Sequence, residues 1–184
     1  CTVANSGERG IYTQHGAVID ATESVITNSG ESAVVAQDGS RIVIELAQIT
    51  TAAGTAVYAQ SGSEIDATSA VVSVASTRTA FFAENGGRIT ATGAQATGCD
   101  IGVRTAHGGY ISAVNGVFTG CTTAGAQASG GELHLSRAQC RKTVGVDAAS
   151  DIRASTGAII NAVGAIGGKN VAANSVSASG VIFA

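Results

Sequence analysis

Gly39-Ser-Arg-Ile-Val-Ile-Glu45 is one copy of a stretch that recurs along the chain. Gly62-Ser-Glu-Ile-Asp-Ala-Thr68, Gly86-Gly-Arg-Ile-Thr-Ala-Thr92 and Gly108-Gly-Tyr-Ile-Ser-Ala-Val114 follow it. Gly16-Ala-Val-Ile-Asp-Ala-Thr22 precedes it, and Gly130-Gly-Glu-Leu-His-Leu-Ser136 closes the clear series. The central apolar residues are Ile19, Ile42, Ile65, Ile89, Ile111 and Leu133, separated by 23, 23, 24, 22 and 22 residues. A near-constant period of that size is the mark of a stacked repeat.

Each period holds three short alternating runs. In the first, Ile19 and Ala21 fall on one side of an extended chain, and Asp20 and Thr22 on the other. The second begins on a small residue (Ser24, Ala47, Ala70, Ala94, Gly116 or Ala138) and carries Ile26, Ile49, Val72, Ala96, Phe118 or Cys140 two places on. The third reads Gly10-Ile-Tyr-Thr-Gln14, Ala33-Val-Val-Ala-Gln37, Ala56-Val-Tyr-Ala-Gln60 and Ala80-Phe-Phe-Ala-Glu84. It continues as Gly102-Val-Arg-Thr-Ala106, Gly125-Ala-Gln-Ala-Ser129 and Gly145-Val-Asp-Ala-Ala149. Three strands within one period leave only tight turns and no room for a helix of ordinary length. The expected fold is all-β: a parallel β-helix with three-strand rungs of about 22–24 residues and seven to eight rungs. The coil is expected to be right-handed, as parallel crossovers are. The absence of proline agrees, because stacked strands need their N–H groups.

The chain reads as a single β-helix domain over 1–184, with regular rungs over 10–149 and less regular ones over 150–184. In the latter, Ala149-Ser-Asp-Ile-Arg-Ala-Ser155 matches a first strand, Ile166 a third strand of the same rung, and Val171 the first strand of the next. The uncapped ends lead us to expect a piece of a longer protein.

Composition narrows the partners. The 184 residues include 12% charged and 4% aromatic side chains, with a net charge of −3, which gives nucleic acid no electrostatic attraction. No apolar run approaches the ~20 residues of a membrane-spanning helix. Cys1, Cys99, Cys121 and Cys140 are too few for a disulfide scaffold and lack zinc spacing. Cys99 and Cys121 stand at equivalent points of adjacent repeats and read as stacked, reduced, buried thiols, with a disulfide between rungs as the alternative. No cofactor and no metal are expected, and His15, His107 and His134 are expected not to share a column.

Function in such a coil resides in outward columns. The third strand's outward residues begin Tyr12, Val35, Tyr58 and Phe82, then turn polar with Arg104, Gln127 and Asp147. An apolar stripe of this kind marks a contact surface. Packing between subunits, as in a homotrimer, and stacking against carbohydrate are both open. The column before the Ile (Val18, Arg41, Glu64, Arg88, Tyr110, Glu132, Asp151) reads as a solvated charge ladder that helps to fix register.

Catalytic candidates are Asp20, Glu45 and Asp66. Asp20 and Asp66 share an outward column two rungs apart, roughly 9–10 Å, the upper edge for an inverting glycosidase pair. Glu45 lies on the rung between. No aromatic residue flanks them to hold a sugar, and Val43 separates the two aspartates. Solvated outward carboxylates account for the pattern equally well.

Gly108-Gly-Tyr-Ile-Ser-Ala-Val-Asn115, Val117-Phe-Thr-Gly-Cys-Thr-Thr123 and Ala91-Thr-Gly-Ala-Gln-Ala-Thr-Gly-Cys99 resemble repeats of bacteriophage tail spikes and tail fibres. The resemblance is one of repeat style and covers nearly the whole chain. It implies a right-handed β-helix, usually trimeric, on a virion tail assembled in the bacterial cytoplasm. It further implies attachment to host surface polysaccharide and contact with other tail proteins. No catalytic residue carries over. The alternatives are a polysaccharide depolymerase domain of a tail spike and an adhesin on a bacterial cell surface, where repeats of similar style occur.

Overall fold

A computed structural model describes residues 1–73, 79–142, 151–167, 175–177 and 180–183. Every regular element among them is a β-strand, and the strands sort into three parallel sheets of eight. The chain visits the sheets in strict rotation. Val25–Ser29 lies in the second sheet, Val34–Ala36 in the third and Arg41–Val43 in the first. The next turn repeats this with Gln48–Ala52, Val57–Ala59 and Glu64–Asp66. Each strand pairs with its equivalent one turn on, as Ile42 with Ile65, Ile49 with Val72 and Val57 with Phe81. The chain is a β-solenoid with the parallel β-helix pattern expected from the repeat.

Two recurring turns make the coil possible. Between third and first strands sit pairs such as His15-Gly16, Asp38-Gly39, Ser61-Gly62 and Asn85-Gly86, both residues with φ between +49° and +77°. The bond from Ala17 N–H to the Gln14 carbonyl, 3.3 Å, closes the first of these. Two successive left-handed residues define a type I′ turn, and glycine takes the second place without steric cost. Between first and second strands only one residue is left-handed: Glu23, Leu46, Ser69, Gly93, Asn115, Arg137 or Gly164. Ser24 N–H donates to the Ala21 carbonyl across the first of these, at 3.2 Å. This is the type II pattern.

The core is a set of like-on-like ladders. Ile42, Ile65, Ile89, Ile111, Leu133 and Ile160 run up the first sheet with no solvent exposure, and Ala67, Ala91 and Ala113 run beside them. Aromatic rings enter where space has been cleared. Phe118 packs edge-to-face on Phe81, with centroids 6.1 Å apart. A side chain at Gly116 would place its Cβ 2.5 Å from the Phe118 ring, so glycine there is the cavity that receives it. Exchange of size between neighbouring columns keeps the interior close-packed.

The C-terminal register differs from the sequence expectation. Ile152–Ser155 belongs to the third sheet, with Ile152 paired to Ala126, and not to the first. Ile166–Gly167 belongs to the second sheet, paired to Gln139 and Cys140, and not to the third. The first strand of that turn is Ile159–Asn161, and of the next Val181–Phe183. Ile159 therefore holds the place expected of Asp151, and Arg153 that expected of Asp147. Val171 and the run 145–149 lie outside the described residues. The physical cause is degeneracy: Ile-x-Ala fits an inward pair in either sheet, and only spacing tells them apart. Leu133 and its true successor Ile160 are 27 residues apart, a longer turn than any before it.

Candidate functional site

The third sheet's outward column is built as expected in order, with Tyr12 beside Val35, Val35 beside Tyr58, Tyr58 beside Phe82 and Phe82 beside Arg104. Its surface is less open than a stripe of apolar residues suggests. Val35, between two tyrosines, is only 2% exposed. Tyr58 and Phe82 stack face to face with centroids 5.2 Å apart and planes within 7°. The Arg9 guanidinium lies 4.5 Å from the Tyr12 centroid, and that of Arg104 4.9 Å from the Phe82 centroid. The column is a closed stack with a cation at each end. The face of a ring is where cations and flat apolar surfaces bind. In this stack the faces are taken up along the coil axis.

A polar rail runs beside the rings, contributed by the last residue of each third-strand motif. Tyr12 Oη donates to Gln14 Oε1, and Gln37 Nε2 donates to Tyr12 Oη. Gln60 Nε2 donates to Gln37 Oε1 at 2.8 Å. Tyr58 Oη lies within hydrogen-bonding reach of Gln60 Oε1 and, more closely, of Glu84 Oε1. Its single proton serves one acceptor at a time, and the charged Glu84 is the stronger. Burial, and then Glu84, push the Tyr58 phenol well above its ordinary value. His107 Nδ1 stands 3.7 Å from Glu84 Oε2 and extends the rail. Beside the Tyr58–Phe82 pair lies an open groove of about 430 Å³, walled by Gly30, Glu31, Ser32, Ala53, Gly54 and Thr55.

The three carboxylate candidates are arranged differently. Asp20 and Asp66 do share a column, with Val43 between them. Each is turned onto its own chain. Asp20 Oδ1 accepts from Thr22 N and Thr22 Oγ1 at 3.0 and 2.8 Å, and Asp66 Oδ1 from Thr68 N and Thr68 Oγ1 at 3.1 and 2.7 Å. Donation from the Thr22 hydroxyl, then from its backbone, lowers the Asp20 pKa. A carboxyl held ionised in this way is suited to capping a turn and is the opposite of a general acid, whose pKa must be raised. Glu45 sits in the turn that follows Ile44, its carbonyl accepting from Glu23 N–H at 2.8 Å.

The first sheet's outward column is an open row of charge. Arg41 Nε and Glu64 Oε2 are 3.8 Å apart. Arg88 lies 4.4 Å over the Tyr110 ring, Tyr110 meets His134 at 5.3 Å, and His134 Nε2 donates to Glu132 Oε1 at 2.6 Å. The histidines are not wholly scattered, as the sequence led us to expect. His15 and His107 occupy the same place in the type I′ turn, four turns apart, and each faces a carboxylate. Among the described residues no group of three or more His, Cys, Asp or Glu is placed to hold a metal ion.

No family model matches this sequence, and no match emerged among characterised proteins or among solved structures.

Proposed function

We propose that this chain is a structural segment, a rigid β-helical shaft, of a bacteriophage tail spike or tail fibre that holds the particle to polysaccharide on the host surface. The observation that carries the structural role is the closed outward stack. Arg9, Tyr12, Val35, Tyr58, Phe82 and Arg104 follow one another along the axis, with a cation over the ring at each end, while the glutamine rail ties successive turns. Such ladders resist sliding of one turn over the next, which is what a shaft requires. The catalytic alternative draws less support, since Asp20 and Asp66 serve as turn caps. The groove beside Tyr58 and Phe82 favours one secondary reading: a sugar contact at that groove. A homotrimer and contact with other tail proteins belong to the same proposal, and so does assembly in a bacterial cytoplasm. A bacterial surface adhesin would use the same shaft.

Incubation with capsular polysaccharide from candidate host bacteria tests the proposal. The expected result is retention of intact polymer with no shortened oligosaccharides, and no retention of any polymer would count against a role in attachment. Release of oligosaccharides that stops in Asp20→Asn or Asp66→Asn would replace the shaft by a depolymerase. The subunit interface is read separately by light scattering. Phe82→Asp is expected to lower the oligomer mass while circular dichroism keeps its β-signature, and an unchanged mass rules out an interface on the third sheet.

A further inference from the structure

Cys99 and Cys121 are both fully buried, and their sulfurs stand 3.4 Å apart. Both are free thiols. They occupy the end of the second sheet on adjacent turns: Cys121 closes the strand Val117–Cys121, and Cys99 follows the strand Gln95–Thr97. The backbone is paired at this point. Thr122 N–H donates to the Cys99 carbonyl at 3.0 Å and Thr123 N–H to the Asp100 carbonyl at 2.8 Å. The two Cα atoms are thus about one inter-strand spacing apart, ~4.8 Å, inside the range that a disulfide spans. The sulfurs already face each other and need to close by about 1.4 Å to reach a bond of ~2.05 Å.

We propose that Cys99 and Cys121 form an oxidisable pair that closes into a disulfide between adjacent turns when the protein meets a small-molecule disulfide. Either thiol can donate to the other across this contact, so the one that ionises first is held by its neighbour's S–H. Cys99, whose pKa that contact lowers, is taken as the attacking sulfur. It displaces one thiolate from the oxidant and forms a mixed disulfide. Cys121 gives its proton to the departing thiolate, attacks the Cys99 sulfur and expels the second thiolate. Two electrons pass to the oxidant, which leaves as two thiols. Gly98 and Thr122, on either side of the pair, are exposed at the corner between second and third sheets, and local opening of that corner would admit the oxidant to the buried sulfurs. Cys140 is also buried, and burial pushes its pKa up to about 12, so it is the poorer nucleophile. Closure ties two turns covalently and restricts the unfolded chain over a sequence separation of 22.

The test uses the full chain carrying Cys1→Ser, which removes the exposed thiol. Alanine already occupies this column at Ala52, paired to Ser29, so Cys99→Ala and Cys121→Ala are expected to fold. After incubation with glutathione disulfide, two of the three remaining thiols should be lost. Peptide mapping should show a Cys99–Cys121 cross-link, and Tm should rise by roughly 5 °C or more. Dithiothreitol should reverse both, and Cys121→Ala should show neither. A cross-link from either residue to Cys140, or three thiols still free after incubation just below Tm, would overturn the proposal.

Discussion

Two outward columns run the length of the same coil, and they are built on opposite terms. On the third sheet, Tyr12, Val35, Tyr58 and Phe82 stack on each other and are closed by Arg9 and Arg104. On the first sheet, Arg41 and Glu64 reach across water with both side chains 52% exposed. One column is packed on itself, with Val35 buried and Tyr12, Tyr58 and Phe82 half-buried. The other is a solvated row whose members are loosely coupled. A solenoid this thin places apolar packing outside its wall as well as within it, since the inner space, among the described residues, is filled mainly by Ile, Val and Ala and takes aromatic rings at Phe81 and Phe118.

The comparison breaks most sharply at Val35. Val35→Asp places a carboxylate between Tyr12 and Tyr58 with almost no access to water. An uncompensated charge in such a place costs about 3 kcal/mol or more. Ser112→Asp is the matching change on the first sheet, between Thr90 and His134. It should stay within about 0.5 kcal/mol of the parent. Thermal and urea unfolding followed by circular dichroism measure both. Equal losses at the two sites would mean that the third-sheet column is not packed as a core.

A smaller effect follows from pH. Tyr58 is held neutral by burial and by Glu84, so its folded pKa lies above that of the unfolded chain. Its contribution is complete below pH ~10, where the phenol is neutral in both states. Above that, the unfolded chain ionises first, and stability falls as pH rises. Tyr58 is only part-buried, so solvent screening keeps the total below about 1 kcal/mol. The difference in Tm between the parent and Tyr58→Phe should therefore narrow from pH 8 to pH 11. Curves that fall in parallel would show that Tyr58 ionises as freely in the fold as outside it.

The repeat was legible because the Ile ladder has one residue type at one spacing, and every inward position obeys the same sterics. Legibility failed where the spacing changed. Gly157-Ala-Ile-Ile-Asn-Ala-Val163 repeats the Gly-Ala-x-Ile-x-Ala pattern of Gly16-Ala-Val-Ile-Asp-Ala-Thr22, and Thr156-Gly157 makes the same left-handed turn as His15-Gly16. That signal lay in the sequence but fell outside the period already in use, while Ile152-x-Ala154 fell nearer to it. The order of the outward column was equally readable, since it follows from alternation. Its closure was not. Whether a Tyr ring shows its face to water or to its neighbour depends on rotamers and on Arg9, which precedes the motif. The role of Asp20 and Asp66 likewise depends on Thr22 and Thr68 two places on, a local Asp-x-Thr pattern that gives each carboxylate two donors.

The mildest test lies in the first-sheet column itself. Arg41 and Glu64 are 3.8 Å apart, at the outer limit of an ion pair, and half of each side chain is in water. Attraction at that separation is offset by the entropy of holding two long side chains, so exposed pairs contribute about 0–1 kcal/mol. A double-mutant cycle on Arg41→Ala and Glu64→Ala should give a coupling below about 0.5 kcal/mol, and 1 M salt, where screening extends to ~3 Å, should abolish it. The neighbouring Arg88 rests on the Tyr110 ring and not on Glu64's partner, so removing Arg41 leaves it in place. A coupling above 1 kcal/mol that survives high salt would place the first-sheet column in the same class as the aromatic stack. The distinction between a packed wall and a solvated wall would then fail at its weaker side.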